Sequence, residues 1–346
     1  GVAVASDGSV YVTDTDNNRI QRFTSEGVFV SEWGTRGEGD GEFMNPVGIT
    51  VGPDANVYVG DTDNHRIQRF SVEPITVVSA PTPVPHSAAL VSTWGTDEFF
   101  FNNYADVAVA SDGSVYVTDT DNNRIQKFTS EGVFVSEWGA PGEGDGEFLD
   151  PEGVAVASDG SVYVADAGNH RIQKFTSEGV FVSKWDTWGD DDWQGQSYPN
   201  SVTVSSDGSV YVLDSGYRIQ KFTSDGVLIS QSDTRCGSGD GEFSYPEGVA
   251  VAPDGSVYVS DTGNNRIQKF TSEDVSAGVL IQRFTFVSQW GTGGSGDGEF
   301  DYPVGVAVAS DGSVYVTDTD NNRIQRFTSE GVFVSEWGTR GEGDGE

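Results

Sequence analysis

Apolar residues along this chain come in short runs, each closed by Gly, Asp, Asn or Ser. The first unit shows the pattern: "GVAV" at 1–4, "VYV" at 10–12, "IQRF" at 20–23 and "VFVSEW" at 28–33. Runs this short, rich in β-branched and aromatic residues, predict strands and leave almost no room for helices. The intervening "SDG", "DTDNN", "TSEG" and the longer "GTRGEGDGEFMNP" predict turns. In "VYV" the two valines point to one face and the tyrosine to the other, yet all three are apolar or amphipathic. That predicts sheets packed on both faces.

The same four-run unit recurs from Gly1, Gly48, Asp106, Gly153, Ser201, Gly248 and Gly305. It divides the chain into 1–47, 48–105, 106–152, 153–200, 201–247, 248–304 and 305–346. Four antiparallel strands per unit of about 45 residues, repeated in tandem, are the signature of propeller blades. The prediction is all-β: one β-propeller of four-stranded antiparallel blades over residues 1–346. Residues 1–42 and 305–346 are identical letter for letter. A ring of seven blades is favoured, because a blade left outside a closed ring exposes two apolar faces. A six-unit super-repeat within a longer tandem protein or fibre is the alternative.

The consensus P-x-G-V-A-V-A-S-D-G-S-V-Y-V-x-D-x-x-N-x-R-I-Q-K-F-x-x-x-G resembles the NHL repeat, and "GNHRIQKF" at 168–175 is close to the stretch that names that family. The likeness spans essentially the whole chain. It implies a propeller, with six blades the family's commoner number. NHL-like propellers include interaction platforms, RNA binders, sensor domains and a few lyases, so the likeness speaks to fold far more than to activity.

Charge narrows the partners. With 54 acidic against 19 basic residues the formal net charge is −35, spread over every repeat. Nucleic acid is a poor partner and anionic membranes are disfavoured, since both need a basic patch. No apolar run is long enough to span a bilayer. Cys236 is the only cysteine, so no intrachain disulfide forms. Met44 is the only methionine and the chain opens on Gly1, so a processed product or a segment of something longer is expected.

The loop "DTDNNR" returns at 14–19, 119–124 and 318–323. Its first Asp and its Arg recur in all seven units, among them Asp14 with Arg19, Asp119 with Arg124 and Asp318 with Arg323. These read as scaffold: Asp ends the second strand, Asn takes a left-handed turn position, and Arg returns to pair with the carboxylate. The second Asp is kept only in some copies, as in Asp16, Asp121 and Asp320, and is the part open to a ligand. With Asp40 and Asp145 of the "GEGDGEF" loops, expected on the same face near Asp16 or Asp121, these carboxylates form a candidate weak calcium surface. No cofactor is required by anything in the sequence.

Function is sought where the repeats differ. The insertion at 71–89 is Pro-rich, with Ser79, Thr82 and Ser87 as candidate O-glycosylation sites. The insertion at 273–286 carries an apolar run expected to extend its blade or cover a neighbour. Trp188 and Trp193 flank Asp190, Asp191 and Asp192, a combination suited to stacking on a sugar ring while carboxylates take its hydroxyls. Phe99 and Phe100 add apolar surface at an equivalent place.

Zinc lyase chemistry needs several ligands at one point, and the chain has three histidines, His65, His86 and His170, spread over turns and an insertion. No nucleophile elbow, P-loop or dinucleotide fingerprint occurs. The sequence reading is a non-enzymatic, extracellular or cell-surface binding or assembly scaffold, with protein, carbohydrate or copies of itself as partners. A fibre subunit is the first alternative and a lyase or glycosidase the second.

Overall fold

The computed structural model describes residues 1–72, 88–94, 106–187, 198–215, 217–232, 236–272, 282–338 and 340. Seven antiparallel four-stranded blades follow one another along the chain. The fourth blade is representative: Pro151–Val156 innermost, then Val162–Asp166, Arg171–Phe175 and Phe181–Asp186 at the outer edge. The innermost strands touch one another in sequence and the seventh returns to the first, closing the ring. Seven blades, not six, share that ring.

Pairing reaches further than the apolar pattern suggested. In blades two, four, five, six and seven the inner strand begins at a proline two residues before the apolar run, because Pro151 pairs with Asp166 and its equivalents do the same. A bulge between Pro151 and Val154 absorbs the extra residue. In blades one and three the described inner strands are Val2–Val4 and Val107–Val109.

Blades hold together by a repeated aromatic joint. The tryptophan ending the outer strand packs edge-on against its own blade's tyrosine and tilted against the next blade's phenylalanine. Trp138 lies 6.1 Å from Tyr116 and 5.7 Å from Phe175. Trp33, Trp185, Trp290 and Trp337 repeat this arrangement. A second aromatic enters from the blade linker: Phe43, Phe148, Phe243 and Phe300 are each 0% exposed, wedged between consecutive blades. Over each of these tyrosine rings sits a cation 5.3–5.9 Å from the centroid, from Arg22 through Arg326.

Blade five breaks the joint, and the 273–286 insertion repairs it. Its outer strand, Leu228–Gln231, is followed by Ser232 where the other blades carry tryptophan. The sixth blade's outer strand is lengthened to Gln282–Trp290 and brings Phe284 to 6.3 Å from Tyr211 and 6.4 Å from Phe270. The start of that strand pairs in parallel with the fifth blade's edge, Ser230 opposite Gln282, so the two blades form one eight-stranded sheet.

Candidate functional site

The recurrent Asp and Arg form a buried network at each blade's second turn. In blade four the Asp166 carboxylate accepts bonds from Arg171 Nε at 2.6 Å, Gln173 Nε2 at 2.9 Å, Asn169 Nδ2 at 3.0 Å and the Leu149 amide at 2.8 Å. Arg171 then donates from its terminal nitrogens to the carbonyls of Glu143, Gly144 and Glu147 in the linker arriving from blade three. In blades two, four, six and seven the turn is thereby fastened to the preceding linker, satisfying loop backbone groups that would otherwise be buried unpaired. Burial pushes the Asp166 carboxyl upward, opposed by these donors.

The pairs singled out from the sequence have the same core. Asp14 with Arg19, Asp119 with Arg124 and Asp318 with Arg323 each meet at 2.6 Å. Their arginines also reach Glu32, Glu137 and Glu336 on the outer strand. In blade five the turn is one residue shorter, and Asp214 still pairs with Arg218. Seven arginines here and seven cations over the tyrosines make fourteen of the nineteen basic residues part of the internal framework. Acids therefore far outnumber the five remaining basic residues.

Asp16, Asp121 and Asp320 lie exposed on these turns, and Asp40 and Asp145 are exposed on the linker loops. The loop holding Asp40 is bonded to the next blade's turn, with Asn64 Nδ2 donating to the Gly37 carbonyl at 2.8 Å. Asp145 meets Lys184 of the following blade at 2.9 Å. Among the described residues no three His, Cys, Asp or Glu converge on one point. His65 and His170 occupy left-handed positions closing short 3-10 turns, with φ of 50° and 55°, the place held by Asn123 and Asn265 elsewhere. Trp188, Trp193, Asp190, Asp191, Asp192, Phe99, Phe100, His86, Ser79, Thr82 and Ser87 lie outside the described residues.

The innermost strands carry two half-buried acids that sequence reasoning did not single out as site residues. Asp106 stands where five of the other units have glycine and the fifth has Ser201, and its carboxylate accepts from the Val107 and Val154 amides at 2.8 and 3.1 Å. Burial pushes it up to about 6. Glu152, on the next inner strand, is pushed up to about 7 by burial and then by the charge of Asp150. Breaks in the "GVAV" pattern, Asp for Gly and the Glu of "PEG", were the available signal.

Two surface features also went unread. The outer strands face solvent with valine: Val91, Val135, Val182, Val287 and Val334 are 46–50% exposed, and Val28, Val133, Val180, Val227 and Val332 are 61–63% exposed in the turns before them. The second feature is a cleft of about 370 Å³ between blades seven and one, whose walls include Val12, Asp14, Phe23, Thr319, Asn322 and Trp337.

Comparison with known proteins agrees with this architecture. The NHL repeat model matches residues 1–23, 43–70, 101–128, 148–175, 243–270 and 300–327, missing the shortened fifth unit. No curated protein matches the chain by sequence. Among solved structures, hydrazine synthase from Kuenenia stuttgartiensis superposes with a TM-score of 0.69 at 11% identity, covering 94% of each chain. A functionally unknown protein from Desulfotomaculum acetoxidans gives 0.67 at 16% identity, covering 97% of this chain and 96% of that one. A catalytically inactive virginiamycin B lyase from Staphylococcus aureus, solved with quinupristin, gives 0.61 at 16% identity, covering 85% and 87%. Identities this low speak to the shared fold alone.

Proposed function

Since the chain belongs to the NHL-repeat β-propellers, we propose that it works as a non-enzymatic binding or assembly scaffold whose contacts are made by the outer rim of the ring. The observation that carries this reading is the half-exposed valine on the outer strand of blade after blade. Edge strands with apolar, unpaired margins invite another strand to add. The molecule already uses its own edge this way, where Ser230 and Gln231 pair in parallel with Gln282 and Arg283.

The net charge of −35 sets the conditions. Like-charged rims repel at low salt, and screening shortens that repulsion to about 10 Å at 0.1 M. Sedimentation velocity at rising salt is the test. Wild-type protein is expected to move above the 36.9 kDa mass of one chain. The triple variant Val135→Lys, Val182→Lys, Val334→Lys is expected to stay there. Wild type that remains at one chain's mass across the series, or a triple variant that associates equally well, overturns the rim as the contact surface.

A second reading, a structural subunit of a tandem array, is favoured by the identity of residues 1–42 and 305–346. It predicts regular filaments by electron microscopy, where the first reading predicts discrete complexes.

A further inference from the structure

We propose that the face of the ring carrying the second turns binds an extended, arginine-bearing segment of another protein, on tyrosines that blades five to seven add to the common plan. The position concerned is the residue just before the inner-strand proline. It is Asn45 in blade two and Asp150 in blade four, but Tyr198, Tyr245 and Tyr302 in blades five, six and seven. In each case it meets the preceding blade's second turn. The backbone amides of Asn45, Asp150 and Tyr302 donate to Asn18, Asn123 and Asn265 Oδ1 at 3.0, 2.8 and 2.9 Å. Tyr198 and Tyr245 meet rings there, His170 at 4.6 Å and Tyr217 at 5.9 Å between centroids.

For folding alone, tyrosine is a poor residue here. Asn45, Asp150, Tyr245 and Tyr302 have φ of 54°, 49°, 46° and 57°, a left-handed conformation that Asn and Asp tolerate and a bulky residue disfavours. Burial gives little in return, since Tyr245 is 68% exposed and Tyr302 45%. A strained backbone that holds an aromatic ring out to solvent points to a contact made by that ring.

Charge complementarity selects the occupant. The Tyr302 hydroxyl donates to Glu247 Oε1 at 3.0 Å, which sets a carboxylate beside the ring. The exposed Asp301 and Asp320 adjoin it, joined by the bond from the Asp320 amide to the Asp301 carbonyl at 3.0 Å. Within its blades the molecule matches this pairing of tyrosine and carboxylate with a cation: Arg69 lies 5.9 Å from the Tyr58 centroid and 2.9 Å from Asp54. A guanidinium suits both partners, stacking on the ring while its N–H groups meet the carboxylate. The net charge of −35 draws such a segment in and repels polyanions. A second copy of this chain is not its source, because most of its basic residues are held inside the blades. This face is separate from the outer strands, and its test does not depend on association of the propellers.

The probe is a peptide of about ten residues alternating arginine and glycine, titrated into the full chain by calorimetry at about 0.15 M salt, where long-range attraction is screened. The control is the lysine-glycine peptide of equal charge. The arginine peptide is expected to bind saturably and at least about threefold more tightly, because guanidinium stacks on aromatic faces and ammonium is more strongly hydrated. Tyr245→Asn with Tyr302→Asn leaves the net charge unchanged and installs the residue blade two already uses. It is expected to weaken the arginine peptide about tenfold, to erase its advantage over lysine, and to keep or raise the thermal midpoint. Glu247→Gln, which retains an acceptor for the Tyr302 hydroxyl, is expected to weaken it about threefold. Equal affinity for the two peptides, undiminished binding by either variant, or no binding up to about 1 mM overturns the proposal. A neutral cello-oligosaccharide that binds wild type and not the double variant, with the arginine peptide unaffected, overturns it in favour of a glycan. The double variant should associate with rising salt as wild type does, so failure of the rim and failure of this face are told apart.

Discussion

Phe284→Ala should loosen the fifth-to-sixth junction more than the insertion that carries the residue would suggest. Phe284 is 8% exposed and takes the place of the missing tryptophan between Tyr211 and Phe270. Removing a buried ring of this kind costs about 3–5 kcal/mol, and the lower end applies where a neighbouring loop can settle into the space. With an unfolding entropy of about 2.1 cal/mol/K per residue, a loss of about 3 kcal/mol in this 346-residue chain lowers the midpoint by about 4 °C. Chemical denaturation followed by tryptophan fluorescence measures it directly. The second arm is Ser232→Trp, which returns the aromatic to the outer strand. Alone it should be destabilising, because two rings compete for one slot and the bond from the Ile219 amide to Ser232 Oγ is lost. Combined with Phe284→Ala it should recover most of the loss, giving a favourable coupling of at least about 1 kcal/mol. A Phe284→Ala change below about 0.5 kcal/mol, the scale of an ordinary surface substitution, refutes the substitution of one aromatic for another.

Four further outcomes are expected. Asp166→Ala leaves the buried Arg171 without its charge partner and the Leu149 amide without an acceptor, and should cost about 3–5 kcal/mol in equilibrium unfolding. The exposed Asp16→Ala should stay within about 0.5 kcal/mol by the same assay. Glu152 and Asp106 have folded-state pKa values raised to about 7 and about 6, so the folded protein holds their protons to higher pH than the unfolded chain. Their protonated forms stabilise the fold at low pH, and that stabilisation is lost as pH rises from the unfolded values near 4 through the folded ones. The denaturation midpoint should fall between about pH 5 and 8, and Glu152→Gln should flatten the fall; an unchanged profile would rule out Glu152 as its source. Gly179→Ala should cost about 2 kcal/mol or more by denaturant titration, because φ there is 79° and the new Cβ would lie 2.5 Å from the Trp138 ring.

Local grammar was legible from residue types alone. Strand runs, turn residues, the sevenfold repeat and the resemblance to NHL repeats all follow from spacing, since short β-branched runs cannot be helices and turns with positive φ select Gly and Asn. Asn18, Asn123 and Asn322 have φ of 54–56°. The Asp–Arg reading was also available, because a carboxylate and a guanidinium kept in every copy are more simply partners than seven separate sites. What residue order could not carry is which copies meet. Arg171 binds carbonyls of the linker before it, Lys184 reaches back to Asp145, and Phe284 fills a place vacated some fifty residues earlier in the chain. Those contacts cross blade boundaries, and they exist only once the ring brings consecutive blades together. The cleft is the plainest case: its walls come from blades seven and one, at opposite ends of the chain, and only closure of the ring sets them against each other.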